Sequence, residues 1–600
     1  MQTYQTRYIE NLQAAQTLAD LYAVPVTTFD EWYAAQMQNR KALAEIRREN
    51  IALLETNLFP TLDRLYEADN ETIKELEAFA DALLDWKKNL DPGVYLLIHE
   101  SLLSMARTQR DRNRIIKELY KVGMGLYYRN HDTDSIETEY IRPFRFENEM
   151  VFTEAGSYLK YFAEIEDKDT RGFIIRSLAN IAICTIDRKK RVAISGRVLE
   201  IVQDEYYRAL APELPWDVFY RRTLQQMSAN RSTLKKGDLT RDELASVLEA
   251  CYDVFKPEQN NPNPNVRWLW PYYEMEYTCG FVDLGTTLGR LEQLIEQTPY
   301  DAYDESGLYG NVQLAVYYGI LLRRNPTLLT KPHHVRFLHR AYDKMMKTLM
   351  TCPVDRINDY LFYVTRLVAT SYLEVEGGVP YSEILTQLMQ RFSGELYIRS
   401  EQAAAITRLF ADTILADEPT FFDDIEAIGS IADPVQKRRT ALAFAENCGR
   451  YHDLGWSKMN LFRTMQTRYL FEPEYQLTKL HTVAAHSDLL QNPSTVPFAD
   501  VAFGHHSFYN GADGYPADYV RSASPCRQMT DLVGVVAYFI DHDTGDTQAT
   551  VKEILALEHK RFSPLITAYL GDPQLVACID DVLRNDAPYY QKLFEQLKGI

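Results

Sequence analysis

Cysteine is scarce: seven residues in 600, at Cys184, Cys251, Cys279, Cys352, Cys448, Cys526 and Cys578, with no CxxC pair among them. An odd number so widely scattered excludes a disulfide framework and a zinc-knuckle spacing, and points to reduced thiols. Long apolar runs are missing too. Leu314–Leu322 and Leu532–Ile540 reach about half the length of a bilayer span. Met1 to Glu10 lacks the basic-then-apolar pattern of a secretory leader, so the expected compartment is the cytoplasm, with no membrane partner. Basic charge is in deficit, 65 Lys and Arg against 84 Asp and Glu, a net −19. That balance works against DNA or an anionic surface as a partner. There is no GxxxxGK[ST] phosphate loop, no convincing GxSxG elbow and no low-complexity tract.

What is present reads as helix. Six hundred residues exceed one hydrophobic core, and 46% apolar with 25% charged content is ordinary for folded domains. Thr28-x-x-Glu31 is a capping box, Asn70 is a natural N-cap, and Asp91-Pro92 starts a further helix. After Asn70, Ile73, Leu76, Ala80, Leu83 and Leu84 recur at helical spacing on one face. Alternating strand patterns are scarce. The expectation is an all-α protein, with α-solenoid-like repeats over 1–255 built from pairs such as Leu102–Arg107 with Ile115–Tyr128. The segment Lys256–Asn265 reads as a linker. A second helical block follows over 266–380, and after Gly377-Gly378-Val379-Pro380 a C-terminal helical bundle over 385–600.

Histidine concentrates where chemistry is to be sought. Seven of the twelve lie between His452 and His559, within YHDLGWSKMNL, KLHTVAAHSDLL and GHHSFYNGADGYP. Imidazole is the commonest transition-metal ligand. His452-Asp453 is an adjacent nitrogen and carboxylate pair that can reach one site from a helix bend. His481 and His505-His506 would add nitrogens from neighbouring helices. Such a donor set suits iron, manganese or zinc better than magnesium. His486, about 140° around the helix from His481, reads as structural or exposed, and His542 and His559 as surface. KPHHVRFLHR, with His333, His334 and His339, has no carboxylate at helical spacing and reads as a polar helix face. Lys235-Lys236-Gly237 and Arg188–Arg191 read as solvated turns.

In order and spacing, His452-Asp453-Leu454-Gly455, then His481, then His505-His506 with Asn510-Gly511 and Gly514-Tyr515-Pro516, resemble the HD-GYP family of bacterial signalling phosphodiesterases. The resemblance covers about 385–600 and extends weakly to Leu396–Ser400, Glu558 and Arg561–Pro564. It implies hydrolysis of cyclic di-GMP at one or two divalent ions (iron, manganese or zinc) held by His452, Asp453, His481, His505 and His506. Asn510, Gly514, Tyr515 and Pro516 would lie on the nucleotide side. Departures from the family pattern are definite. Arg399 stands where a histidine is expected, Trp456 where a lysine is, and Ser507 where a glutamate is. Ala537 or Tyr538 occupies the place of a late aspartate. Lys458 and Arg399 would then steady the phosphate beside Asp453, under control of an N-terminal helical region that senses a signal or a protein partner. Two alternatives stand beside that reading. One is a degenerate HD-GYP pseudoenzyme that binds a nucleotide or protein partner without turnover. The other is an α-helical scaffold.

Overall fold

A computed structural model describes residues 3–84, 89–130, 138–232, 264–278, 280–353 and 367–598, with scattered positions between 240 and 261. Half of Lys256–Asn265 and all of Lys235–Gly237 lie outside the described residues. The protein is all-α: 78% of it is helical, and among the described residues there is no strand, only two isolated bridges. No described helix is long and apolar enough to cross a membrane. Contacts gather the chain into two units. Unit 1 is Met1–Gln13, Glu49–Asp134 and Thr138–Val364; unit 2 is Ala14–Arg48, Ser135–Glu137 and Thr365–Ile600.

In unit 1 the recurrent start signal is aspartate. Helices α1 (Asn70–Leu83), α2 (Pro92–Gln109), α3 (Arg112–Asn130), α4 (Thr138–Ser157), α5 (Lys168–Cys184) and α6 (Arg188–Gln203) follow in order. Asp69, Asp91, Asp167 and Asp187 each accept a hydrogen bond from a backbone N–H of the first turn of α1, α2, α5 and α6. Each satisfies one of the donors a helix leaves free at its start. The cap of α1 is therefore Asp69 rather than Asn70, because its carboxylate lies 2.8 Å from the Thr72 amide. Arg188–Arg191, expected as a solvated turn, is instead the first turn of α6, since Asp187 supplies the cap that makes helix there. The expected apolar stripe of α1 is buried, from Ile73 to Leu84. Each of α2 to α6 packs against the helix before it in sequence. Further along lie α7 (Leu284–Gln297), α8 (Leu314–Arg324) and α9 (Pro332–Thr351).

Unit 2 is built on α10 (Gly394–Asp417), α11 (Pro434–Tyr451), α12 (Glu472–Thr478), α13 (His481–Leu489), α14 (Val496–Gly504) and α15 (Arg527–Asp541). Helix α10 packs on α11 and α15, and α14 packs on α11, α13 and α15. Their shared core includes Phe410, Ile414, Phe422, Phe444, Val536 and Phe539. The early segment Ala14–Arg48 completes this unit. Trp32 is fully buried, its ring against Tyr590 and Phe594, and Arg40 bridges Asp586 and Glu395.

Candidate metal centre

Three breaks between helices meet at one place. Helix α11 stops at Tyr451, so His452 and Asp453 leave it at a bend; α13 begins at His481; α14 stops at Gly504, just before His505 and His506. The last carbonyls of a helix have no partner within it. Here three histidines use them. His452 Nδ1 lies 2.7 Å from the Gly449 carbonyl, His481 Nδ1 2.7 Å from that of Thr478 at the end of α12, and His505 Nδ1 2.9 Å from that of Ala502. A carbonyl only accepts, so each Nδ1 carries a proton and donates it; in the neutral ring this makes Nε2 the lone-pair nitrogen.

Those lone pairs face a carboxylate. His481 Nε2 and His505 Nε2 lie 3.3 Å and 3.4 Å from Asp453 Oδ1, and 3.5 Å from each other. Asp453 Oδ1 is buried and accepts no hydrogen bond. Two imidazole lone pairs and an unpartnered carboxylate oxygen at such range repel one another unless a proton or a metal cation lies among them. The spacing is informative. Donors about 2.0–2.1 Å from a tetrahedral ion stand about 3.3 Å apart, whereas neighbouring positions of an octahedron stand about 2.9 Å apart. The observed triangle matches the tetrahedral edge, and His506 supplies a donor to the same group, all within 4.8 Å of one another. These residues could hold a divalent metal ion.

Protonation states agree. Burial pushes the His505 imidazole down to about 4 and that of His506 well below its ordinary value, so both are neutral at pH 7. His452 stands at the edge of the group, its buried Nε2 3.4 Å from Asp453 Oδ2 and otherwise unpartnered.

Two glycines let the backbone close around the centre. A Cβ at Gly455 would collide with the His481 carbonyl. Gly514, at φ +103°, lies against the His506 carbonyl and adopts a backbone conformation that other residues rarely take. Tyr515 then stacks on the His506 ring, centroids 4.5 Å apart, with Pro516 buried behind it. Asn510 is exposed; its side chain accepts from the Ala512 amide, which shapes the loop.

The basic residues expected at a phosphate are placed differently. Lys458 is buried and ion-paired with the equally buried Asp488. It is committed to that partner and does not face a ligand. Arg399 pairs with Asp541 and is not among the four donors. Ala537 and Tyr538 are buried in α15, so no carboxylate reaches the group from there. His542 and His559 are exposed, as expected, and the His486 ring packs at a tilt against Phe503. Two residues with no role in the sequence reading adjoin the centre. Trp456 stacks on the His481 ring at 4.9 Å. The Arg561 guanidinium lies over the Tyr538 ring, its positive charge acts on His506 and Tyr515, and among the described residues no carboxylate pairs with it.

No protein-family model matches the chain, and no curated protein matches it.

Proposed function

We propose that unit 2 is a metal-dependent phosphodiesterase of the HD-GYP type, acting on a cyclic dinucleotide, with cyclic di-GMP as the expected substrate. The observation that carries this reading is the triangle of Asp453 Oδ1, His481 Nε2 and His505 Nε2, with edges of 3.3–3.5 Å and the Asp453 oxygen buried without a hydrogen bond. A divalent ion there, zinc, iron or manganese, would supply Lewis-acid stabilisation of phosphoryl charge. Asp453, His481, His505 and His506 are the residues that would hold it. Their own contribution is preorganisation: two of the three imidazoles, His481 and His505, are fixed by helix-end carbonyls and lose little freedom when they engage. Arg561, fixed over aromatic rings and without an acid partner, takes the role foreseen for Lys458, holding a phosphate oxygen in place. Tyr515 and Trp456 wall the site and exclude water from the His506 and His481 sides.

The test is hydrolysis of cyclic di-GMP by the full chain with Mn²⁺ or Fe²⁺ under anaerobic conditions, followed by chromatography. Linear pGpG or GMP from the parent and none from Asp453→Ala is the expected result. Arg561→Ala should raise KM more than it lowers kcat. A second reading, a pseudoenzyme that binds nucleotide without turnover, draws support from Lys458 and Arg399 both being committed to carboxylates. Binding of cyclic di-GMP by folded parent with no product would select it.

A further inference from the structure

The His333-His334 pair, read from the sequence as part of a polar helix face, meets a carboxylate that its own helix does not supply. Glu292 of α7 faces the first turn of α9, and one donor atom from each of Glu292, His333 and His334 lies within 4.8 Å of the others. We propose that unit 1 carries a solvent-facing zinc site made of these three side chains.

The distances support this. His333 Nε2 lies 3.0 Å from Glu292 Oε2 and 3.1 Å from Oε1, and His334 Nδ1 lies 3.6 Å from Oε1. Pro332 opens α9, so the two histidines occupy its first turn. The carboxylate is held from behind. Tyr318 of α8 is fully buried; its hydroxyl donates its one proton to Glu292 Oε1 at 2.6 Å and therefore accepts from His334 Nδ1 at 2.8 Å, which leaves Nε2 as the lone-pair nitrogen of that ring. A ligand carboxylate oriented by a neighbouring hydroxyl is the arrangement metal sites use to fix their donors.

Charge points the same way. Among the described residues no lysine or arginine pairs with Glu292; its charged neighbours in ion-pair range are the two histidines. The positive end of α9 disfavours a cation, and the Glu292 charge beside it offsets that. Side-chain exposure of 17% for Glu292 and 15% for His334, against 62% for His333, gives a preset half and one arm open to solvent. Two imidazoles and one carboxylate are zinc ligands, and they select late transition metals over magnesium or calcium. Water would complete the coordination. No residue is shared with the Asp453 group, so this site stands or falls independently of the phosphodiesterase reading.

Zinc titration of metal-stripped, full-length protein against a chromophoric chelator tests the proposal. Parent protein, His333→Ala, Glu292→Gln and Asp453→Ala are compared, with circular dichroism checking each fold. The expected result is that His333→Ala and Glu292→Gln each weaken one zinc class at least tenfold. The class removed by Asp453→Ala should be unaffected in both. Since His333 is exposed, its replacement leaves the fold intact and decides the matter if Glu292→Gln misfolds. Zinc binding by His333→Ala equal to the parent in number and affinity would overturn the proposal, as would loss of all zinc in Asp453→Ala.

Discussion

At the scale of single residues, the centre depends on proton placement more than on the number of histidines. Three Nδ1–H groups are spent on helix-end carbonyls, and this makes the opposite nitrogens ligands rather than donors. The same burial has a measurable consequence for the metal-free protein. His505 takes up a proton below about pH 6.5 in an unfolded chain, but only below about 4 in the fold. Between those values the unfolded state binds more protons, so stability rises with pH. Chelator-treated parent should lose up to about 3 kcal/mol relative to His505→Asn as pH falls from 6.5 to 4. Urea unfolding at intermediate pH values measures the difference, and equal pH slopes for the two proteins would refute it. Gly514→Ala puts a methyl group against the His506 carbonyl at a φ that alanine resists. It should cost about 1–3 kcal/mol and weaken metal binding, as read by thermal unfolding and metal titration.

At the scale of elements, buried ion pairs hold the loops around the centre. Lys458, just after the HD bend, is joined to Asp488 on α13, each about 1–2% exposed. Lys458→Met leaves an uncompensated buried carboxylate and should destabilise by about 3–5 kcal/mol. Lys458→Met with Asp488→Leu should recover most of that, since a well-packed apolar pair often matches an ion pair. Chemical denaturation of the two variants measures this, and no recovery in the double variant would contradict it. The pair also marks where sequence reading ends. The HD, HH and GYP groups were legible because their residues are neighbours in the chain, and helix-end chemistry is local. The commitments of Lys458 and Arg399 were not. Their partners lie 30 and 142 residues away, and nothing within the motif announces them. Glu292, 41 residues before His333, was missed for the same reason. The helix starts expected at Thr28, Asn70 and Asp91-Pro92 fell within a residue of the observed ones, because capping side chains and proline act on the turn they begin, whereas the start at Arg188 was missed.

At the scale of the molecule, the all-α class followed from the period of the apolar residues. The membership of Ala14–Arg48 in unit 2 did not, because Trp32 gives no sign in sequence that it packs on Tyr590 and Phe594. A fragment starting at residue 365 would expose the aromatic face that Trp32 covers and leave Asp586 without Arg40. Removing a buried tryptophan alone costs about 3–5 kcal/mol. The fragment should therefore melt well below the full chain, and a peptide spanning 14–48, added in trans, should raise its melting temperature. An unchanged melting temperature on adding the peptide would count against this account of unit 2.

The central claim is that Asp453, His481, His505 and His506 form a metal centre, and cobalt tests it most directly. Co²⁺ titrated into metal-stripped protein reports coordination through its visible absorption, strong for a four-coordinate ion and weak for an octahedral one. In His333→Ala, which lacks the second site, strong bands that saturate at one equivalent per chain are expected, and they should vanish when Asp453→Ala is added to that variant. Absence of the bands in His333→Ala, or their survival in the double variant, would contradict the metal centre.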